Sequence, residues 1–465
     1  MSAPIIWILI PFATGFSILF FLDKRFAPLI GGGVSVILAL VALIFPIDTA
    51  LLLGTISIKI SSSIQFFGRS FAFNTADGPL IAIIYGLAAL WFFGTEASGS
   101  ANRFVALGLM IVALLTASIA VEPFLFAALL LDMAAMLVIP LLVPIYQKPG
   151  RGVVRFLIYQ TLAMPFILFS GWMLAGVEAS PGAIGATLQA GTILGLGFAF
   201  LLGVFPLYNW IPMLMEEASP YVTGFLLWAL PTFTVIFALG FLDRYTWLRT
   251  SPQLSSALQF AGLVMVASGG LFASQQKHVG RIMGYAAIAE TGLLVLAMGL
   301  KSSEVVNITF LLLIPRGLEL AVWALALSII KRKAYSLRFS EVQGMARSYP
   351  ITVAALVLAS LSMTGYPLLA GFPPRLALWQ ELASQSLVIS FWVFVGLLGL
   401  LIAAIRTLAV FVMAEDNTAW KLNESWVQIT MLGLGVIGLF ILGMFPQVLQ
   451  PFIVNLPALF NHLGQ

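Results

Sequence analysis

Seven charged side chains interrupt long apolar runs of this chain: Asp132, Glu290, Arg316, Glu319, Arg375, Glu381 and Arg406. A charge at the centre of a bilayer costs about 2.5–3.5 kcal/mol even on the gentlest scale, so each of them needs a partner or water. The chemistry open to such a set is proton movement. A row of titratable groups linked by water can pass a proton if each gains and loses charge as its neighbour changes. Arginine is a poor relay member because it stays protonated, but it sets the field felt by nearby carboxylates. Arg316 and Glu319 are three residues apart and share a helix face, which places them to pair locally. Glu290, Arg316 and Arg375 fall in one stretch of the chain and lead the candidates. Glu319 and Arg406 could equally be neutralised packing pairs. Other chemistries have little to stand on. There is no cysteine, and the two histidines, His278 and His462, lie in separate loops or tails. The expectation is a chain with no cofactor, no metal ligand set and no Gly-rich dinucleotide loop.

The elements that position these charges follow from composition. The chain has 465 residues, 61% hydrophobic and 9% charged, with mean hydropathy +1.07. Soluble domains carry about 25% charged residues, so lipid must be the solvent over most of this surface. A soluble enzyme, a nucleic-acid-binding module and a disordered scaffold are excluded. The reading is an all-α polytopic membrane protein of about fourteen transmembrane helices, since each needs about 20 apolar residues. The spans fall near 3–21, 28–47, 78–94, 104–121, 124–146, 153–176, 188–217, 221–242, 255–274, 279–300, 303–331, 350–382, 386–413 and 425–447. The longest polar stretch lies between the second and third. There Ile56 to Ser61 alternates apolar and polar residues, which suits one arm of a small β-hairpin. Of the 22 Lys and Arg, fourteen lie on the loops that follow odd-numbered spans, five on the opposite side and three at membrane depth. That split puts both termini outside. It also explains the net charge of +4 without nucleic acid as a partner.

Two spans are broken in the middle. One reads Gly203-Val204-Phe205-Pro206 and then Trp210-Ile211-Pro212; the other reads Gly365-Tyr366-Pro367 and then Gly371-Phe372-Pro373-Pro374. Proline removes a helix hydrogen bond and clashes with the preceding turn. In a membrane the freed backbone is tolerated only where protein or a wet cavity satisfies it. The breaks fall in the fourth members of two five-span blocks, residues 104–242 and 255–413, flanked by residues 1–103 and 425–465. Five is odd, so the second block is inverted relative to the first, as in transporter repeats.

In these motifs the chain resembles the antiporter-like proton-translocating membrane subunits shared by respiratory complex I, Mrp-type cation/proton antiporters and membrane-bound hydrogenases. The resemblance covers the fourth to fourteenth spans. Phe198-Ala199, Phe205-Pro206, Trp210-Ile211-Pro212, Glu217-Ala218 and Val222-Thr223 resemble the family's broken seventh helix and the segment after it. Arg281-Ile282-Met283-Gly284-Tyr285-Ala286-Ala287-Ile288-Ala289-Glu290 resembles its Lys-Arg-Leu-Leu-Ala-Tyr-Ser-Ser-Ile signature. Gly365-Tyr366-Pro367, Gly371-Phe372 and Arg375 resemble its second break, and Leu442-Gly443-Met444-Phe445-Pro446 its last helix.

The resemblance implies a proton pathway through Asp132, Glu217, Glu290, Arg316, Glu319, Arg375 and Arg406, with Pro206, Pro212, Pro367, Gly371, Pro373 and Pro374 at the helix breaks. It implies no cofactor on this chain. Its partners would be other membrane-arm and redox subunits, the lipid bilayer, and protons or sodium ions. Such a subunit sits in a bacterial or archaeal cell membrane. The sequence also departs from the family. The first repeat's glutamate position falls near Ala135, with Asp132 a turn earlier, and its lysine positions fall at Leu201 and near Thr232. That half-channel looks dismantled, unless Asp132, Tyr159, Gln160 and Thr232 replace it. In the second repeat Arg316 and Arg375 stand where the family carries lysine or glutamate. The leading expectation is a redox-inert membrane-arm subunit of a complex I-type NADH/quinone oxidoreductase. The alternatives are a Mrp-type antiporter subunit and a non-conducting structural subunit.

Overall fold

The computed structural model describes residues 2–21, 24–53, 56–66, 68–100, 103–143, 148–179, 184–300, 302, 304–413, 420–460 and 462–463. A π-helical turn, Ile5–Leu9, runs into α1 (Ile10–Phe20), followed by α2 (Ala27–Ile44), α3 (Asp77–Ser98), α4 (Arg103–Ala120), α5 (Ala127–Leu142) and α6 (Arg151–Ala179). The first broken span is α7 (Ile184–Leu202) with α8 (Trp210–Glu217), and α9 (Pro220–Arg244) follows. A single turn, α10 (Thr246–Arg249), leads to α11 (Pro252–Gln275), α12 (Val279–Met298) and α13 (Val305–Lys331). After the short α14 (Phe339–Val342), the second broken span is α15 (Pro350–Thr364) with α16 (Phe372–Gln385). The chain closes with α17 (Leu387–Val412), α18 (Trp426–Met444) and the turn α19 (Gln450–Ile453).

Among the described residues, twelve helices are long and apolar enough to cross a membrane, or thirteen if the pair Phe339–Arg347 and Pro350–Thr364, bent by 115°, counts as one span. The protein is an integral, multi-pass, all-α membrane protein. Two segments account for the difference from fourteen. The first apolar segment is helical only over Ile5–Phe20. The segment 350–382 is divided by its break into α15 and α16, neither of which reaches bilayer length at about 1.5 Å per residue.

The interhelical segment read as a hairpin is one. Strands β1 (Ala50–Leu53) and β2 (Ile56–Lys59) pair antiparallel, with Ala50 opposite Lys59. The side chains of Ile56, Ser57 and Ile58, whose alternation suggested it, lie outside the described residues, as does Lys301 of the orientation argument. A second small sheet joins β3 (Ser63–Phe66), β4 (Arg69–Ala72) and β5 (Val121–Glu122). Ser2 bridges to Ser61, and the tail at His462 and Leu463 returns to Asp243 at the end of α9.

The buried core follows helices α3, α4, α9, α12 and α13, whose sides are covered by other helices almost all round. Peripheral helices α2, α11, α17 and α18 bury a stripe and turn Leu, Ile and Phe outward. A helix apolar on all sides is stable where protein or lipid covers every face, as it does for these two sets.

Candidate functional site

Both breaks are built by the same backbone device. At the first, Gly203 takes φ +59 while Gly203 N donates to Phe200 O and Val204 N to Ala199 O at 2.9 Å. At the second, Gly365 takes φ +79 while Gly365 N donates to Ser362 O at 2.9 Å and Tyr366 N to Leu361 O at 3.1 Å. Each is a Schellman cap, in which a left-handed residue lets two amides return to the last turn, and glycine holds that conformation without strain. Pro206 and Pro367 follow the caps and prevent the helix from resuming. The remaining prolines named from sequence do not break anything. Pro212 lies in the first turn of α8, and Pro373 and Pro374 in the first turn of α16, where an amide N–H has no helical partner to lose. Gly371 is the N-cap of α16.

The second break assembles the charges. Glu290 on α12, Arg316 and Glu319 on α13, and Arg375 on α16 are 2%, 1%, 0% and 5% exposed. Arg375 donates through Nη2 to Glu290 Oε1, and the same nitrogen lies 3.6 Å from Glu319 Oε2. Its Nη1 donates to the Gly371 carbonyl at 2.7 Å. Ser362 on α15 donates to Glu319 Oε1 at 2.6 Å and accepts from Gly371 N at 3.1 Å, tying the end of one half-helix to the start of the next. A Cβ at Gly371 would run into Arg375 Nη1 and the Ser362 carbonyl and would lie 2.5 Å from Glu319 Oε1. Glycine is therefore required where the guanidinium passes.

Arg316 does not pair with Glu319 as the three-residue spacing suggested. Among the described residues no ion pair joins Arg316 to a carboxylate, and Glu319 belongs to Arg375 instead. Arg316 Nη2 donates to the Leu227 carbonyl and to Thr291 Oγ1, both at 2.9 Å. The Leu227 carbonyl is available because its normal helical donor would be residue 231, which is Pro231, inside α9. Arg316 Nε and Nη1 have no hydrogen-bond partner among the described residues, so this buried cation is under-satisfied.

The arrangement has a definite chemical capacity. At an effective dielectric of about 20, an ion pair at 3.6 Å is worth about 4–5 kcal/mol, against a desolvation cost of several kcal/mol per ion. Two guanidinium groups face two carboxylates, so the set is balanced although no single member would be. Arg375 bridges both carboxylates. Protonation of either one leaves the guanidinium with the other, so the site can take up and release one proton without stranding its cation.

The other residues named from sequence lie apart. Asp132 on α5 is 5% exposed, its Oδ1 has no partner among the described residues, and Thr161 on α6 faces it. Gln160 donates to the Leu201 carbonyl at 3.2 Å and Thr232 to its own helix at Trp228 O, while Tyr159 packs on the Phe200 ring. Tyr159, Gln160 and Thr232 are thus engaged with backbone and rings, and of the four groups that could have rebuilt the first half-channel only Asp132 keeps a buried unpartnered polar atom among the described residues. Glu217 accepts the Gly152 amide at 2.8 Å and so stabilises the N-terminus of α6. Arg406 donates to the Ser274 carbonyl in the last turn of α11 and lies over the Phe339 ring. Both serve helix ends, where their charges match the local dipole. Ser362, Thr291 and the Leu227 carbonyl were not named from sequence. Pro231 was the available signal for the last of these.

A multi-pass helical membrane fold with two capped breaks, one of them carrying a buried charge cluster, defines the class as antiporter-like membrane subunits. The family model described as "NADH:quinone oxidoreductase/Mrp antiporter, TM" matches residues 107–402, and the chain belongs to that family. It is 27% identical over 447 residues to NADH-quinone oxidoreductase subunit 14 of Thermus thermophilus, covering 90% of this chain and 96% of that one. It is 24% identical over 318 residues to NADH-quinone oxidoreductase subunit N of Dehalococcoides mccartyi, covering 63% of each. The chain thus matches less than two thirds of that relative's length. Its fold also matches a chain in the Mrp complex of Dietzia at TM-score 0.80 and 12% identity, over 99% of this chain and 97% of that one.

Proposed function

We propose that this protein is a redox-inert membrane-arm subunit of a complex I-type NADH/quinone oxidoreductase or a related complex. In this reading it couples electron transfer on partner subunits to proton translocation, and the working half is residues 255–413. The observation that carries the reading is the Glu290–Arg375–Glu319 bridge at the second break, with Arg316 held beside it. A structural filler has no need of four buried charges. At the first break the position corresponding to a family lysine is Leu201, buried and apolar. The two matching glycine caps support a pair of inverted five-helix blocks, 104–242 and 255–413, and the count of basic loop residues supports both termini outside.

The coupling step follows from the bridge. A proton delivered to Glu319 leaves Arg375 on Glu290, and its release returns Arg375 to a shared position. Arg316 supplies a fixed positive field, and the electron-transfer chemistry lies on other chains. Relatives named as NADH-quinone oxidoreductase subunits support this parent complex. The experiment is affinity purification of the native assembly from membranes, followed by electron-transfer assays. Redox subunits that co-purify with NADH-linked activity support the reading. A redox-free assembly that exchanges sodium for protons contradicts it.

A further inference from the structure

A cavity of about 460 Å³ opens between the start of α3, the ends of α4 and α9, and the C-terminal tail. Asp77, Glu122 and Asp243 line it, with Arg244 and His462 as the cationic or protonatable groups facing them. From Arg244 at its rim to Phe233 at its floor the wall descends along α9 by about 16 Å, at 1.5 Å per residue. That is about half the 30 Å hydrocarbon thickness. Phe233 is in turn only about 9 Å along the same helix from Leu227, whose carbonyl holds Arg316.

The carboxylates do different jobs. Asp243 Oδ1 accepts the amides of His462 at 2.7 Å and Leu463 at 3.1 Å and so fastens the tail over the cavity. Arg244 lies over the Phe124 ring at 4.1 Å, and Glu122 is exposed at the edge. Asp77 is 7% exposed, and its Oδ2 accepts the Asn74 amide at 2.5 Å. Among the described residues none donates a hydrogen bond to its other oxygen, and Asp77 lines the cavity. A nearly buried carboxylate with one committed and one open oxygen, at the wall of a polar cavity, is fitted to bind a proton.

We propose that this cavity is an aqueous mouth through which the Arg316–Glu319 region exchanges protons with the face bearing the C-terminal tail, and that Asp77 is the carboxylate that binds the proton there. The step is proton binding alone. Hydronium at the mouth gives its proton to the open oxygen of Asp77 and leaves water, and Asp77 later returns the proton. The route to the cluster rests on the proton-relay reading above; proton binding at Asp77 does not.

The chain has no cysteine, so an introduced thiol is the sole one on this subunit, and its labelling is read on this subunit after the labelled complex is taken apart. A Cβ at Gly240, which lines the cavity, meets nothing within 4 Å, and Ser118→Cys is nearly isosteric. In vesicles holding the intact complex, Gly240→Cys and Ser118→Cys react with a membrane-impermeant thiosulfonate added on the tail side. Infrared difference spectra on acidification show a carboxyl band that Asp77→Asn removes, while Asn keeps the acceptor for the Asn74 amide. Asp77→Asn also slows proton transport about a hundredfold or more, the lower end of what a positioned acid–base group contributes. Unreactive thiols, a carboxyl band unchanged in Asp77→Asn, or normal transport in that variant overturns the proposal. If instead Asp77 titrates and the thiols react while Glu290→Gln with Arg375→Ala leaves transport intact, the relay reading fails and the proton site at Asp77 stands.

Discussion

Replacing Arg375 with methionine removes the one cation that bridges two buried carboxylates, and its cost follows from the contacts. Glu319 keeps only its bond from Ser362, and Glu290 loses its ion pair altogether. The 3.6 Å contact to Glu319 alone corresponds to about 4–5 kcal/mol at an effective dielectric near 20. Breaking one side of a buried pair in other proteins costs about 3–5 kcal/mol, because the partner charge is left stranded. Arg375→Met is therefore expected to destabilise the protein by about 3–5 kcal/mol. Glu290→Gln combined with Arg375→Met removes one charge of each sign and leaves Arg316 with Glu319 as a balanced remainder. The double variant should then lose about 2–3 kcal/mol less than the sum of the single variants, well outside the roughly 0.5 kcal/mol scatter of independent sites. Chemical unfolding of all four proteins in detergent micelles, followed by tryptophan fluorescence, measures the cycle. Additive losses would refute the bridge, since they would mean that Arg375 and Glu290 do not depend on each other.

Four further outcomes are expected. Ser362→Ala removes both the donor to Glu319 and the acceptor for Gly371, and unfolding should show a loss of about 1–3 kcal/mol. Gly371→Ala forces Arg375 out of its slot, so proton transport should fall together with stability, measured in the same preparation. Pro231→Ala returns an amide that competes for the Leu227 carbonyl; Arg316 should lose that anchor, read as a change in transport exceeding the change in stability. His278 lies outside the spans and caps α12 by accepting the Arg281 amide on Nδ1. Burial pushes its imidazole below the ordinary 6.5, with Glu216 opposing and Lys331, Arg281 and Arg338 reinforcing the shift. The unfolded chain then binds a proton that the fold refuses, so stability is full above the ordinary value and falls as pH drops towards the folded one. Thermal midpoints at about pH 7.5 and about pH 5.5 should differ in the native protein and differ less in His278→Asn.

The apolar runs, the two breaks and the charges at depth were all legible in the sequence, because each rests on local composition that lipid enforces residue by residue. The device that makes the breaks was read less well. Prolines drew attention, whereas the left-handed Gly203 and Gly365 end the helices and three of the prolines merely start new ones. Pairing was read least well. The three-residue rule describes neighbours on one helix face, and it pointed Arg316 at Glu319. In the packed bundle α16 brings Arg375 to Glu319 instead, while Pro231 on α9 frees a carbonyl for Arg316. Which helix faces which is a tertiary fact that spacing along one helix does not contain. Glu217 and Arg406 show the same limit, for both are spent on the ends of neighbouring helices.

The central claim is that the second break carries the coupling and the first does not. Its most direct measurement is the ratio of protons translocated to electrons transferred by the intact complex in vesicles, with Glu290→Gln and Arg375→Ala together compared against Asp132→Asn. The account predicts that the ratio falls in the double variant while electron transfer continues, and that Asp132→Asn leaves it unchanged. An unchanged ratio in the double variant, or a fall only in Asp132→Asn, would contradict it.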